Sequence, residues 1–130
     1  ARLGLMDAVI LPGQFSTESL GVFYELADVY VCLSEHEGFC VPLLEAMCHD
    51  VPVLAYASTA IPSTLGEAGI LLRRKDYALL AELVHEVVSN ADLRQRLVQG
   101  QRARLAEFSP ERTRAKLRRC LDILEGLPAA

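Results

Sequence analysis

The chain has 130 residues, the size of one domain that buries roughly two thirds of the surface its unfolded form exposes. With 52% of residues hydrophobic and 23% charged, it has the balance of a folded domain and excludes a disordered or fibrous chain. No apolar run approaches the ~18 residues of a membrane span and no basic, apolar leader opens the sequence, so the default expectation is a cytoplasmic location.

The net charge of −4 hides a division. Residues 1–72 carry nine acids against one Arg and sum to −8; residues 73–130 carry twelve bases against eight acids and sum to +4. An acidic first half excludes a nucleic-acid groove, which needs clustered cations where phosphates lie. The later bases alternate with acids in helical patterns and read as a solvated surface. Cys32, Cys40, Cys48 and Cys120 show no CxxC spacing and His36, His49 and His85 are scattered, so reduced thiols are expected, with neither a zinc site nor a disulfide framework.

In chain order, Ala8-Val9-Ile10-Leu11 before Pro12-Gly13 predicts a buried strand ending in a turn. Ser16 or Thr17 can cap a helix through Ala27 with Leu20, Phe23, Tyr24 and Ala27 on one face. Val29 to Leu33 is β-branched and aromatic without polar alternation, which predicts a central parallel strand. A polar loop from Ser34 to Cys40 follows, and Pro42 sits where a helix to about His49 can start.

Val51 to Tyr56 and Ala68 to Leu72 predict two more strands, separated by a short turn at Ile61-Pro62. Tyr77, Leu80, Leu83, Val84, Val87 and Val88 then keep a helical period, and a shorter helix is expected around Leu93 and Leu97. Ser109-Pro110-Glu111 opens a last helix, predicted to turn Leu117, Cys120, Leu121 and Leu124 inward and to stop at Gly126 and Pro128. Alternating strands and helices over residues 1–75, then helices over 76–130, predict an α/β fold with an open doubly wound parallel sheet and C-terminal helices.

The segment Ser34-Glu35-His36-Glu37-Gly38-Phe39-Cys40-Val41-Pro42-Leu43-Leu44-Glu45-Ala46-Met47 lies between the carboxyl end of a strand and a helix start, where open α/β sheets bind ligands. Free N–H groups at residues 38–41 and the positive helix end would attract phosphate or sugar oxygens, and Gly38 admits a ligand close to the main chain. Glu37 in the loop and Glu45, expected in the first helical turn facing the same crevice, are acceptors suited to sugar hydroxyls. A Glu in a first turn is also favoured by the helix dipole by ~0.3–1 kcal/mol with no ligand present, and loop glutamates are commonly just solvated.

The run Glu37 to Met47 resembles the E-x7-E signature, in the form EGFG-L-P-x-x-EAM, of the retaining glycosyltransferases of GT-B architecture usually numbered family four. Tyr24-Glu25-Leu26-Ala27-Asp28-Val29 upstream, Val51-Pro52-Val53, Ala60-Ile61-Pro62 and Gly66 to Leu71 downstream, and Phe108-Ser109 are similar to further stretches of that family. The resemblance implies the Rossmann-like, nucleotide-sugar-binding half of such an enzyme, with the acceptor domain and the first βα unit of this half absent.

The same resemblance gives Glu37 contact with the donor sugar as the catalytic carboxylate, and gives the amides of Gly38, Phe39, Cys40 and Val41 the sugar hydroxyls and diphosphate. Glu45 would take the ribose hydroxyls, and Gly13, Gln14 and Phe15 would mark the nucleobase region. It implies no metal and no cofactor beyond a UDP- or GDP-sugar as co-substrate, with transfer of a hexose to a saccharide or lipid-linked acceptor through the absent domain.

Cys40 and Asp50 stand where the family prefers Gly, and Ser63 where it has Glu. The lack of any Lys or Arg from Leu3 to Leu72 predicts that the chain alone is inactive, since a departing diphosphate needs cations. Two other readings remain: a non-hydrolysing nucleotide-sugar epimerase, which the E-x7-E passage disfavours, and a self-associating module held through surface left uncovered by the missing unit.

Overall fold

A computed structural model describes residues 4, 5, 7–11, 13, 14, 16–124 and 126. Pro12, Phe15 and Pro128 lie outside the described residues. Three parallel strands, β1 (Tyr30–Cys32), β2 (Val53–Tyr56) and β3 (Ile70–Leu72), form a sheet in the order β1-β2-β3. Tyr30 stands opposite Val53, and Leu54 opposite Ile70. Helices α1 (Thr17–Leu26), α2 (Val41–Cys48) and α3 (Ile61–Leu65) precede or join the strands; α4 (Tyr77–Ser89), α5 (Ala91–Leu105) and α6 (Pro110–Leu124) follow them, with one 3₁₀ turn at Ala106–Phe108. The α/β class and the open parallel sheet are as expected.

Side-chain alternation along β2 divides the core between the two faces of the sheet. Val53 and Ala55 join Tyr24, Leu43, Ala46, Met47, Ile61 and Leu65 from α1, α2 and α3. Leu54 points the other way, to Leu72, Val87 and the inner faces of α4 and α5. β2 is therefore buried on both sides, which explains a continuously apolar sequence. Gly69, just before β3, permits this packing: a Cβ there would lie 2.7 Å from the Val53 carbonyl oxygen.

Helix starts follow local chemistry. Ser16 Oγ accepts from the Ser19 amide at 3.3 Å, Asp76 from Leu79 at 3.1 Å and Asn90 from Leu93 at 3.0 Å. Each satisfies one amide that has no partner within its helix.

Four expectations fail. The strand expected at the centre of the sheet, β1, lies at its edge with Val31 37% exposed, because among the described residues it pairs with β2 alone. Residues 8–11 form no strand; Ile10 and Leu11 are 82% and 88% exposed, because no described strand offers them a ladder partner. The helix around Leu93 and Leu97 is not short but runs 15 residues, since Gly100 faces Ala68 closely and Gln101 reaches into the core, donating to the Val51 carbonyl at 2.8 Å. Leu117, Cys120, Leu121 and Leu124 do not turn inward: all four are exposed on α6, which meets mainly the 3₁₀ turn.

Folding also pairs the two oppositely charged halves of the sequence. Asp28 meets Arg94, Asp50 meets Arg102 and Glu35 meets Lys75, each pair joining an acid from before residue 72 to a base after it.

Candidate functional site

The loop after β1 reaches α2 on a backbone that is fixed from outside. Ser58 Oγ donates to the Ser34 carbonyl at 2.7 Å, and Thr64 Oγ1 donates to the Phe39 carbonyl at 2.6 Å. Thr59 Oγ1 accepts from the Glu37 amide at 2.8 Å and donates to the Glu37 carbonyl at 2.9 Å. All three hydroxyls come from the segment between β2 and the end of α3, so neighbouring strand ends hold the loop in place. The Glu37 carboxylate, half-buried, has no hydrogen-bond partner among the described residues.

Cys40 is the residue that turns the chain into α2. It takes a left-handed conformation, φ 64° and ψ 63°, and its side chain caps nothing. An L side chain costs roughly 1–2 kcal/mol in that region, where Gly is at ease. The cost is met by burial: the thiol is 4% exposed and lies 3.8 Å from the Cys32 sulfur. Burial pushes the Cys40 thiol up to about 12, with the nearby Cys32 and Glu37 adding to the effect. The side chain therefore points into the core, toward Cys32.

The amides of Gly38, Phe39, Cys40 and Val41 have no acceptor among the described residues, at the start of an eight-residue helix. The Phe39 ring stands edge-on to Phe108, with centroids 5.7 Å apart, and Arg104 lies over Phe108. Phe39 is thereby held by its side chain from the C-terminal segment while its amide stays open.

Glu45 is not in the first turn of α2 but in the second. The dipole's effect has faded there, so it does not explain this carboxylate. A specific contact does: Tyr24 Oη on α1 donates to Glu45 Oε2 at 3.1 Å. Burial pushes the Tyr24 phenol up to about 12, and the bond to Glu45 adds to the effect. The Tyr24 ring stacks on His49 at 5.5 Å, and a 250 Å³ cleft between α1 and α2 is lined by Gly21, Tyr24, Glu45, Cys48 and His49. Gly13 and Gln14, both exposed, lie in the segment before α1; Phe15 is outside the described residues.

Two larger openings differ in meaning. One of 480 Å³ lies between the end of α3 and α5, beside Gly66, Arg104 and Glu107. The other, 470 Å³, is lined by Ala57, Pro62, Leu71 and Arg73, directly beyond β2 and β3. Only the second lies at the carboxyl ends of the strands, where open sheets bind ligands.

A cation does reach the loop, and sequence reasoning missed it. Lys75, three residues past β3, bonds Glu35 at 2.7 Å and stands over the Tyr56 ring at 5.1 Å. The Lys75 ammonium holds the Glu35 carboxyl below its usual range. The signal available was the Arg73-Arg74-Lys75 run immediately after a predicted strand, because strand ends converge in a parallel sheet.

These features define a class first: an open parallel α/β domain whose strand-end loop presents free amides and a free carboxylate. A profile described as "Glycosyl transferases group 1" matches residues 1–104, and the chain belongs to that family. It is 32% identical over 116 residues to a D-inositol 3-phosphate glycosyltransferase of Salinispora arenicola, covering 87% of this chain and 26% of that protein. Over 64 residues it is 38% identical to O-antigen chain mannosyltransferase B of Escherichia coli, covering 49% of this chain and 17% of that one. It is 33% identical over 95 residues to a GDP-mannose:cellobiosyl-diphosphopolyprenol alpha-mannosyltransferase of Xanthomonas oryzae pv. oryzae, covering 71% and 25%. The chain thus spans about a quarter or less of the length of these curated relatives.

Proposed function

We propose that this chain is the donor-binding part of a retaining glycosyltransferase that moves a hexose from a nucleoside-diphosphate sugar to a saccharide or lipid-linked acceptor. The observation that carries the reading is the loop from Glu37 to Val41, where a carboxylate and four amides without internal partners share a main chain pinned by Thr59 and Thr64. Pre-organised donors of this kind stabilise developing negative charge at little reorganisation cost. Glu37 would face the transferred sugar, the amides of Gly38 to Val41 its hydroxyls and the diphosphate, and Glu45 the ribose, with its free oxygen accepting while Tyr24 steadies the other.

Gly13, Gln14 and Phe15 would border the base. No metal or further cofactor enters this scheme, and the reaction would run in the cytoplasm, at the inner membrane face for a lipid-linked acceptor. Relatives named for mannosyl transfer make GDP-mannose the first donor to try, beside UDP-sugars.

The 130 residues alone would bind rather than turn over. Lys75 reaches the loop but is neutralised by Glu35, so the cations for a departing diphosphate must come from elsewhere. Calorimetry of the chain with UDP and GDP tests the binding: saturable uptake of either, lost in Glu45→Ala, is expected. Absence of heat with both nucleotides and both sugar donors would sink the donor-binding reading, and turnover of a nucleotide sugar by the purified chain would refute its inactivity.

A further inference from the structure

We propose that Cys32, Cys40 and Glu37 form a binding site for a zinc ion beneath the loop that joins β1 to α2. Cys32 ends β1 and Cys40 stands immediately before α2 at the other end of the loop, so the two thiols enclose a stretch of chain that includes Glu37. Their sulfurs are 3.8 Å apart, and one sulfur from each with a Glu37 carboxylate oxygen lie within 4.8 Å of one another. Two thiolates bound tetrahedrally at ~2.3 Å have sulfurs about 3.8 Å apart, which is the separation present before any ion arrives. A carboxylate bound at ~2.0–2.2 Å needs a sulfur–oxygen distance of roughly 3.5 Å, which rotation of the Glu37 side chain can supply while Thr59 holds its main chain.

The donor set selects the ion. Two sulfurs and one oxygen, with water as fourth ligand, suit zinc and its soft neighbours and do not suit magnesium or calcium, which take oxygen shells. Charge favours a cation as well, since no Lys or Arg occurs between residues 3 and 72 and Lys75 is already engaged by Glu35. The thiols are 6% and 4% exposed, so entry is from the side of the half-buried Glu37. On binding, Zn²⁺ forms two Zn–S bonds and one Zn–O bond and two protons leave for solvent, giving a site of net charge −1. CxxC spacing could not reveal this arrangement, because strand end and helix cap bring together cysteines eight apart in sequence. The site stands on the placement of three side chains and does not rest on the donor reading, although ion and sugar would draw on the same carboxylate.

The test is titration of the reduced chain with Co²⁺ and with Cd²⁺ in the absence of oxygen, followed by displacement with Zn²⁺. One equivalent should give thiolate-to-metal charge-transfer absorption, with the visible bands of tetrahedral cobalt, and Zn²⁺ should remove the cobalt bands. Cys32→Ser and Cys40→Ser should each lose the signal, while Cys48→Ser and Cys120→Ser, at the exposed thiols, should retain it. Glu37→Gln should keep thiolate absorption but weaken affinity about tenfold or more. No saturable band at one equivalent, a band that survives in both core variants, or one that vanishes with Cys48 or Cys120 overturns the proposal and leaves two reduced thiols in simple contact. Should either core serine variant fail to fold by circular dichroism, Glu37→Gln decides, and unchanged affinity there counts against the site. Nucleotide calorimetry repeated with a chelator present keeps the two readings apart, since donor binding would persist when metal binding fails.

Discussion

The two stretches assigned to a nucleotide sugar are built in opposite ways. The loop from Ser34 to Cys40 is tied by Ser58, Thr59, Thr64 and Lys75, all from other parts of the chain, and ends on a buried residue. The segment that carries Gly13 and Gln14 is preceded by exposed apolar residues and no described strand. A loop can be pre-organised only by neighbours that outlast ligand exchange, so the first stretch is ready before binding, whereas among the described residues no hydrogen bond ties Gly13 or Gln14.

On that contrast, nucleotide binding should depend unequally on the two stretches. Glu45→Ala should lower UDP or GDP affinity at least tenfold, about 1.4 kcal/mol, while Gln14→Ala should change it less than threefold. Calorimetry on the two variants checks this, and equal losses would break the comparison.

Stability offers a second and more local measure. Gly69→Ala forces a Cβ against the Val53 carbonyl, which is main chain and cannot swing aside, with Leu65 methyl carbons at 3.0 and 3.1 Å on the other side. A loss of about 1–3 kcal/mol in urea unfolding is expected, as for other overpacked cores. Thr59→Ala removes one donor and one acceptor from Glu37, at an exposed position where water can replace both, so the expected cost is smaller, about 0.5–1.5 kcal/mol. Its more telling effect would be faster exchange of the Glu37 amide, with residues 53–56 unaffected.

Most of the sheet and the motif could be read from the sequence because each rests on short-range pattern. Val51 to Tyr56 is apolar throughout, and β2 is covered on both faces; Pro42 marks a helix start that falls within one residue of its expected place. What sequence reasoning missed depends on partners distant in the chain. Ala8 to Leu11 has a strand's composition but no described neighbour to bond, and α6 has a helix's periodicity but little to pack against. Lys75 was overlooked for the same reason: its place beside Glu35, 40 residues earlier, follows from the order of the strands and not from spacing. Glu45 falls just past the first turn because α2 begins at Val41, one residue before Pro42, which makes it the fifth helical residue and not the fourth.

High pH separates the tied region from its surroundings by another route. Tyr24 belongs to the core shared by α1 and α2, and its pKa is raised from 10.0 to about 12; Tyr30 on β1 is raised as well, chiefly by burial. Their contribution to stability is complete below pH 10 and declines as pH rises toward 12, where the unfolded chain has released protons that the folded chain still holds. Denaturant midpoints should fall over that window, and Tyr24→Phe should flatten part of the fall. A midpoint independent of pH up to 12 would contradict the burial of both phenols.

The smallest expected effect is the most discriminating for how this chain departs from its family. Cys40 and Asp50 bracket α2, and both adopt left-handed backbone, φ 64° and 56°, at the two positions where the resemblance anticipates Gly. Each departure has its own compensation. Cys40 fills core volume against Cys32, whereas Asp50 pairs on the surface with Arg102 through two bonds, one of 2.8 Å. Asp50→Gly removes a left-handed penalty of roughly 1 kcal/mol and an exposed ion pair of about 0.2–1 kcal/mol, so the two terms nearly cancel and stability should move by less than ~0.5 kcal/mol. Cys40→Gly relieves the same backbone strain but leaves a void beside Cys32, and there the loss of packing should win. Urea unfolding of the pair distinguishes the cases: a near-neutral Asp50→Gly beside a destabilised Cys40→Gly means that the thiol is retained for what it touches in the core, and equal small shifts would mean that it fills no space the core needs.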